Sequence, residues 1–216
     1  MGELFVHVPN LLIAIVAGYL IGALPLAVHI SRRQGVDIFA VGTGLAGASN
    51  VLKRVGKVPA FLVLLGDIAK GVLAVFIGRI LGVEGSWILL PAAAAIFGHW
   101  NSIFSRFRGG DGLATLGGVM IALFAMGGIV GVAIAGIVSL GGQRIPYTSL
   151  LSVVFGYSTV AMLSLIRQEQ LALTLGVGGL AAIVLAHAIS GHMKRRQGDE
   201  WEELGDTGAA ESTGAG

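Results

Sequence analysis

The sequence predicts an all-α, polytopic membrane protein with seven transmembrane helices, its N-terminus outside and its C-terminus inside. Of the 216 residues, 55% are hydrophobic and only 12% are charged, whereas a soluble domain carries about 25% charged residues. Several apolar runs reach the roughly 20 residues that a transmembrane helix needs. The 35 glycines are typical of membrane helices that pack through small residues.

Seven apolar segments are the predicted spans. They lie at residues 11–30, 58–83, 86–104, 113–126, 127–141, 149–166 and 170–190. The stretch from 113 to 141 fits either one long tilted helix or two short helices divided near the sequence AMGG.

The placement of cations favours two helices in that stretch, because Lys and Arg accumulate in the cytoplasmic loops of membrane proteins. With seven spans, most of the cations lie inside: Arg32, Arg33, Lys53, Arg54, Lys57, Arg106, Arg108, Arg144, Lys194, Arg195 and Arg196. Arg167 lies in an outside loop and Arg79 at a helix end. A single merged helix would place Arg144 and the C-terminal cations outside.

The chain divides into one membrane domain at residues 1–196 and a tail at residues 197–216. The tail is acidic and rich in glycine, and this composition predicts disorder. The membrane domain keeps the cations, so it is suited to anionic ligands or lipid headgroups. Cysteine is absent, which excludes disulfides and cysteine-ligated metals.

The stretch GTGLAGASN at residues 42–50 is the first candidate site. It contains three glycines and an asparagine, and three cations follow it: Gly42, Gly44, Gly47, Asn50, Lys53, Arg54 and Lys57. Glycine can adopt positive φ and approach a ligand closely, and successive backbone N–H groups in such a loop form an anion-binding concavity. The stretch therefore predicts a phosphate site. The alternative is a flexible basic loop that rests on anionic lipid headgroups.

A second polar and glycine-rich stretch, GHWNSIFSRFRGGDGLATLGG, begins at Gly98. Its candidate residues are His99, Asn101, Ser102, Arg106, Arg108, Gly109, Gly110 and Gly112. It leads into the start of a helix, where backbone N–H groups favour an anion. Alternatively, His99 is an interfacial histidine bonded to a neighbouring carbonyl group. Two such loops on one face favour a shared anion site more strongly than either loop does alone.

Asp67 and Lys70 lie in the middle of a predicted span, three residues apart, and so share one helix face. Charges inside a membrane usually face the protein interior or a polar cavity. The pair is either a structural ion pair, which is the favoured interpretation, or a direct substrate contact. His187 closes the last span. The five scattered histidines include no HExxH motif, so no metal site is predicted.

In order, these segments resemble the bacterial membrane glycerol-3-phosphate acyltransferases that use an acyl-phosphate donor, the PlsY type. The family pattern contains YLxGSIP, GSGNxGATNxxR, GK, GDxxKG, GHxxxxFxxFKGGKGVAT and a final HxxN. This chain has YLIGALP at 19–25, GTGLAGASNVLK at 42–53, GK at 56–57 and GDIAKG at 66–71. It continues with GHWNSIFSRFRGGDGLAT at 98–115, YTSLLS at 147–152 and His187. The resemblance covers roughly residues 15–195.

The resemblance implies an enzyme of the bacterial inner membrane that transfers a fatty acyl group from acyl phosphate to the 1-hydroxyl of glycerol 3-phosphate. The product would be lysophosphatidic acid, for phospholipid synthesis. The implied partners are the two substrates and the bilayer, with no cofactor, metal, nucleic acid or obligate protein partner. The active face would be cytoplasmic.

The resemblance also implies roles for individual residues. Thr43, His99 and His187 would be catalytic, and Asp67 and Lys70 would support the site. The residues expected to bind substrate phosphate are Gly42, Gly44, Gly47, Asn50, Lys53, Ser102, Arg106, Arg108, Gly109, Gly110, Asp111 and Gly112. Either His99 or the substrate's own phosphate would take the hydroxyl proton.

Five of the departures from the family pattern fall at residues expected to be functional: Thr43, Leu45, Lys53, Asp111 and Ser190. Thr43 keeps the hydroxyl of the family serine, and Lys53 keeps the charge of an arginine without its bidentate fork. Asp111 replaces a lysine and reverses the sign beside a phosphate site. A diverged, catalytically impaired paralogue that acts as a regulator or uses another acceptor is therefore the alternative. A transporter is disfavoured because the charged loops cluster on one face.

Overall fold

The computed structural model describes residues 8–142 and 148–191, and the described residues form helices joined by short loops. The α-helices are α1 Val8–Gly22, α2 Leu26–Arg33, α3 Ala48–Arg54, α4 Lys57–Ile80, α5 Leu89–Trp100, α6 Leu113–Phe124, α7 Met126–Gly141, α8 Thr148–Ile166 and α9 Leu171–Gly191. Single 3₁₀ turns at Gly85–Ile88 and Ile103–Ser105 flank α5. The predicted tail at 197–216 lies outside the described residues.

Four helical segments are long and apolar enough to cross a bilayer. They are Val8–Arg33, Lys57–Ile80, Gly85–Ser105 and Leu171–Gly191. The apolar helices α6 and α7, and the part of α8 from Leu150 to Ile166, are shorter. The predicted all-α membrane architecture is thus confirmed, whereas seven crossings and their orientation stay predictions.

The first predicted span, residues 11–30, is not one continuous helix. The structure ends α1 at Gly22 and begins α2 at Leu26. Pro25 explains the break, because proline has no N–H to donate within a helix and disfavours helical backbone in the residue before it. The short α2 ends on Arg32 and Arg33.

The apolar stretch from 113 to 141 divides into α6 and α7 at Ala125, as the placement of cations predicted. The backbone angles of Ala125, φ 41° and ψ −107°, lie far from those of an α-helix. The two helices then pack closely, since a Cβ atom on Gly128 would lie only 2.2 Å from the carbonyl oxygen of Met120. The reversal returns the chain towards the side on which α6 begins.

Small residues allow the close helix contacts, as the glycine content predicted. Helix α4 packs against α1, α5 and α6. A Cβ atom on Gly71 of α4 would lie 2.1 Å from the Thr115 carbonyl oxygen of α6, and one on Gly22 of α1 would lie 2.0 Å from that of Ala95 in α5. A smaller apolar cluster beneath residues 38–51 includes Ile38, which is 1% exposed. The loop before α3 packs on this cluster.

Candidate active site

Asn50, in α3, organises the first glycine-rich loop from inside. Its side chain is buried, and its Nδ2 donates hydrogen bonds to the carbonyl oxygens of Ile38, Val41 and Leu45 at 3.1, 3.0 and 3.1 Å. Its Oδ1 accepts a hydrogen bond from the Thr43 backbone N–H at 3.3 Å. Both Nδ2 hydrogens are engaged within the loop. The structure therefore gives Asn50 a role in shaping the loop, where direct phosphate binding was expected.

The turn around Thr43 requires glycine on both sides. Gly42 has φ 60° and Gly44 has φ 65°, which favours residues without a Cβ atom. A Cβ atom on Gly42 would also lie 2.1 Å from the Oδ1 of Asn50. Gly47 has extended backbone and precedes α3. Thr43 is thus displayed at an exposed turn.

The two glycine-rich loops lie side by side, as the prediction of a shared site requires. The backbone N–H of Ala46 donates a hydrogen bond to the Gly109 carbonyl oxygen at 3.0 Å. Arg108 reaches back across the same junction: its Nη2 donates to the Phe39 carbonyl oxygen at 3.4 Å, and its guanidinium carbon lies 4.1 Å from the centre of the Phe39 ring. This cation–π contact holds a positive charge at the junction.

Gly110 has no room for a side chain at this junction. A Cβ atom there would lie 2.5 Å from the Nε2 of His99 and 2.8 Å from the Ala46 carbonyl oxygen. The Gly110 N–H also donates to the His99 carbonyl oxygen at 3.2 Å. The backbone of the second loop is therefore packed directly on His99 and on the first loop.

A buried trio of ionisable side chains lies beneath the two loops. The Nζ of Lys70 and the Oδ1 of Asp67 are 2.7 Å apart, and the Nδ1 of His99 lies 3.6 Å from the same Oδ1. All three side chains are buried. Opposite charges compensate each other here, and a single buried charge would be costly. The predicted ion pair of Asp67 and Lys70 is confirmed.

These elements enclose a cavity at the ends of α1 and α5. Its walls combine the α1–α2 break with parts of α4, α5 and both loops. The lining residues are Gly22, Ala23, Leu24, Pro25, Leu26, Ala27, Ala46, Asp67, Lys70, His99, Ser102, Ser105, Arg108 and Gly109. Six predicted site residues thus meet around one space, although they come from two separate stretches of sequence, and Ala46 of the first glycine-rich loop joins them.

Other predicted residues lie elsewhere. Thr43, Lys53 and Arg106 are exposed and do not line the cavity. Ser102 does line it, but its hydroxyl donates a hydrogen bond to the Ala23 carbonyl oxygen. The single hydroxyl hydrogen of Ser102 is therefore engaged, so this residue fastens α5 to the end of α1, where phosphate binding was expected.

Trp100 is a residue that the sequence interpretation missed. Its Nε1 donates a hydrogen bond to the Asp111 carbonyl oxygen at 2.9 Å. Its ring stacks on that of His187, with centroids 4.2 Å apart and planes 14° apart. No motif marks position 100, and α5 and α9 are distant in sequence, so only the tertiary structure reveals the contact.

The charges at the site are arranged to attract an anion and to orient a polar group beside it. Arg108 supplies a cation at the cavity wall, and α6 begins directly after Gly112, so the helix adds its partial positive charge. Asp67 faces the Nδ1 of His99, which leaves the Nε2 directed at the second loop. Within residues 8–142 and 148–191, no group of three potential ligands could hold a metal ion.

A family model described as glycerol-3-phosphate acyltransferase matches residues 12–196. The chain is 50% identical over 112 residues to glycerol-3-phosphate acyltransferase 1 of Deinococcus radiodurans, covering 52% of this chain and 57% of that protein. It is 32% identical to the glycerol-3-phosphate acyltransferase of Geotalea daltonii, covering 82% of this chain and 89% of that protein.

A solved structure also resembles the chain. It is the glycerol 3-phosphate form of PlsY, described as an integral membrane glycerol 3-phosphate acyltransferase. The TM-score is 0.69 at 25% identity, covering 87% of this chain and 90% of that one. The family match, these relatives and the shared architecture lead to one conclusion. The chain belongs to the glycerol-3-phosphate acyltransferase family.

Proposed function

We propose that this protein transfers a fatty acyl group from acyl phosphate to the 1-hydroxyl of glycerol 3-phosphate. The observation that carries the proposal is the junction of the two glycine-rich loops above the buried trio. Ala46 and Gly109 are hydrogen-bonded there, and Arg108 and His99 line the same cavity. Both substrates carry a phosphate group, so each loop has an anion to bind.

In the proposed reaction, the site orients two anions and neutralises the charge that develops between them. The glycerol hydroxyl oxygen attacks the acyl carbon, and the bond between that carbon and the phosphate oxygen breaks. The hydroxyl proton ends on the released phosphate, so the products are lysophosphatidic acid and hydrogen phosphate. An acyl phosphate is already activated, so orientation and charge stabilisation supply most of the acceleration.

His99 is placed to orient the attacking hydroxyl. Asp67 at its Nδ1 favours the tautomer in which Nδ1 carries the hydrogen, and the Nε2 is then an acceptor. The Nε2 lies next to Gly110, in the loop proposed to hold phosphate. A hydroxyl that donates to this nitrogen would lie beside the bound anions.

Arg108 is the proposed cation for substrate phosphate. The family pattern has a lysine where this chain has Asp111, so the charge at that position is reversed. Arg108 lies three residues earlier and lines the cavity. Because its guanidinium already contacts Phe39, little side-chain freedom is lost when it binds an anion.

The proposed location is the bacterial inner membrane, with seven crossings, an external N-terminus and the site at the cytoplasmic face. Its support is the positive-inside distribution of Lys and Arg. The loop between α2 and α4 and the loop between α5 and α6 then lie on the same side of the membrane. Their mutual hydrogen bonds require this.

The direct test uses purified full-length protein with acyl phosphate and labelled glycerol 3-phosphate. The expected result is labelled lysophosphatidate, with no product when acyl-CoA replaces acyl phosphate. Arg108→Ala is the matched control, since it removes the proposed cation at an exposed position. Product no higher than in blank membranes would reject the activity and favour the impaired paralogue.

A further inference from the structure

Trp100 joins three parts of the site that are separate in sequence. It is the last residue of α5, its indole N–H binds the Asp111 carbonyl oxygen of the second loop, and its ring lies flat on His187 of α9. Gly112 makes room for it, because a Cβ atom there would lie 2.4 Å from the Nε1. The indole therefore occupies space that a side chain at position 112 would fill.

The stack on Trp100 restrains the end of α9 that lies nearest the site. Two side-chain hydrogen bonds between α8 and α9 lie near the start of α9: Tyr157 donates to the Thr174 carbonyl oxygen, and the Ser164 and Thr174 hydroxyls share a hydrogen bond. From Thr174 to His187 is about 20 Å along a helix axis. The contact with Trp100 therefore restrains the imidazole at a point far along α9 from those hydrogen bonds.

We propose that Trp100 is a positioning residue, which holds His187 beside the Gly109–Gly112 loop so that the imidazole meets the substrates there. The inference rests on the proposed acyltransferase function. Both features of indole are used, since the flat ring orients the imidazole and the donor N–H anchors the ring to the loop. The family pattern specifies no residue at position 100.

A double-mutant cycle tests the proposal. Trp100→Leu removes the ring and the N–H, Trp100→Phe keeps a stacking ring without the N–H, and His187→Gln removes the imidazole. We expect Trp100→Leu to lower kcat about tenfold and Trp100→Phe about threefold, as for contacts that couple neighbouring residues. In the His187→Gln background, Trp100→Leu should change kcat by less than about twofold.

Two kinetic outcomes would overturn the proposal. The first is a Trp100→Leu variant with unchanged kcat. The second is an equal loss of kcat with and without His187, because the tryptophan would then act independently of the imidazole. The melting temperature of each variant in detergent separates a positioning defect from a folding defect, and Trp100→Phe is the informative variant if Trp100→Leu unfolds.

Fluorescence tests the stack without any assay of activity. In the double variant Trp87→Phe and Trp201→Phe, Trp100 is the one remaining tryptophan. A protonated imidazole in contact with indole quenches its emission, so the emission should fall when His187 is protonated at lower pH. His187→Gln should abolish this fall.

The fluorescence controls address the neighbouring titratable groups. His99 interacts electrostatically with His187, and Asp111 belongs to the same loop. We expect the fall in emission to persist in His99→Gln and in Asp111→Asn. A fall that is unaffected by His187→Gln would overturn the stack. An intact stack in a protein without transferase activity would instead reject the proposed function.

Discussion

Arg108 and Asp111 show how single residues determine the charge of the site. They are three residues apart on one loop, yet only Arg108 lines the cavity. Asp111 contributes a backbone carbonyl group to Trp100. The reversed sign at position 111 is therefore accompanied by a cation nearby, held by its contacts with Phe39, which would allow the proposed phosphate site to tolerate an acid.

Arg108→Ala should raise the KM for glycerol 3-phosphate by about 10- to 100-fold, the range of a lost charge-assisted hydrogen bond. Arg108→Lys should lie between this variant and the wild type, because lysine keeps the charge without the planar fork. Initial rates at varied glycerol 3-phosphate measure both. Equal KM values in all three proteins would show that phosphate binds elsewhere.

Asp111→Lys should lower the KM for glycerol 3-phosphate roughly fivefold, because a half-exposed charge contributes up to about 1 kcal/mol. Asp111→Asn is the matched control, since it removes the negative charge without adding a positive one, and it should give a smaller decrease. If Asp111→Lys leaves the KM unchanged or raises it, the site has been rebuilt around the acid.

At the scale of helices, the ends and breaks of the elements build the site. The break between α1 and α2 places the Ala23 carbonyl oxygen where Ser102 can donate to it. The end of α5 carries His99 and Trp100 to the loops. The close approach of α4 to α6 brings the buried trio beneath the start of α6, so helix packing and site geometry are linked.

Gly71→Ala should lower stability by about 1–3 kcal/mol, the usual effect of overpacking. The new Cβ atom would lie 2.1 Å from the Thr115 carbonyl oxygen and 2.7 Å from the Val119 nitrogen, and backbone atoms can yield only if the helices separate. Gly136→Ala in α7 is the control, because a Cβ atom there meets nothing within 4 Å.

Thermal unfolding in detergent measures both glycine variants. The control should match the wild type or exceed it slightly, since alanine favours helix over glycine by up to about 1 kcal/mol. An equal change in the two variants would show that glycine content, and not the contact between α4 and α6, determines the stability.

At the scale of the whole molecule, the distribution of charge predicts the orientation in the membrane. Cations cluster on the loops that form the site, while the 3₁₀ turn before α5 carries none. Since cytoplasmic loops retain Lys and Arg, the two ends of the helix bundle should face different compartments.

Cysteine labelling in intact cells tests the orientation, because the natural chain has no cysteine. Ser86 and Gln34 are both exposed and lie at opposite ends of the spans. A membrane-impermeant maleimide should label Ser86→Cys in intact cells and Gln34→Cys only after permeabilisation. The reverse pattern would place the site on the outer face and remove it from a cytoplasmic substrate pool.

The sequence alone determined the fold class and the family, and it predicted a set of candidate site residues. Hydrophobicity and cation placement are local properties, so they predicted the helices and the division of α6 from α7. The order of the glycine-rich motifs identified the family, and the spacing of Asp67 and Lys70 predicted their ion pair. The break at Pro25 has a sequence signal as well, although the predicted first span did not use it.

Only the tertiary structure decided which side chains share the cavity and which support it. Asn50 and Ser102 have the polarity of ligand-binding residues, yet their hydrogen-bond partners lie in segments that the fold brings to them. Trp100 meets His187 across 87 positions of sequence, a contact that no local pattern encodes. Polarity and spacing indicate what a residue can bind, whereas packing determines which partner it reaches.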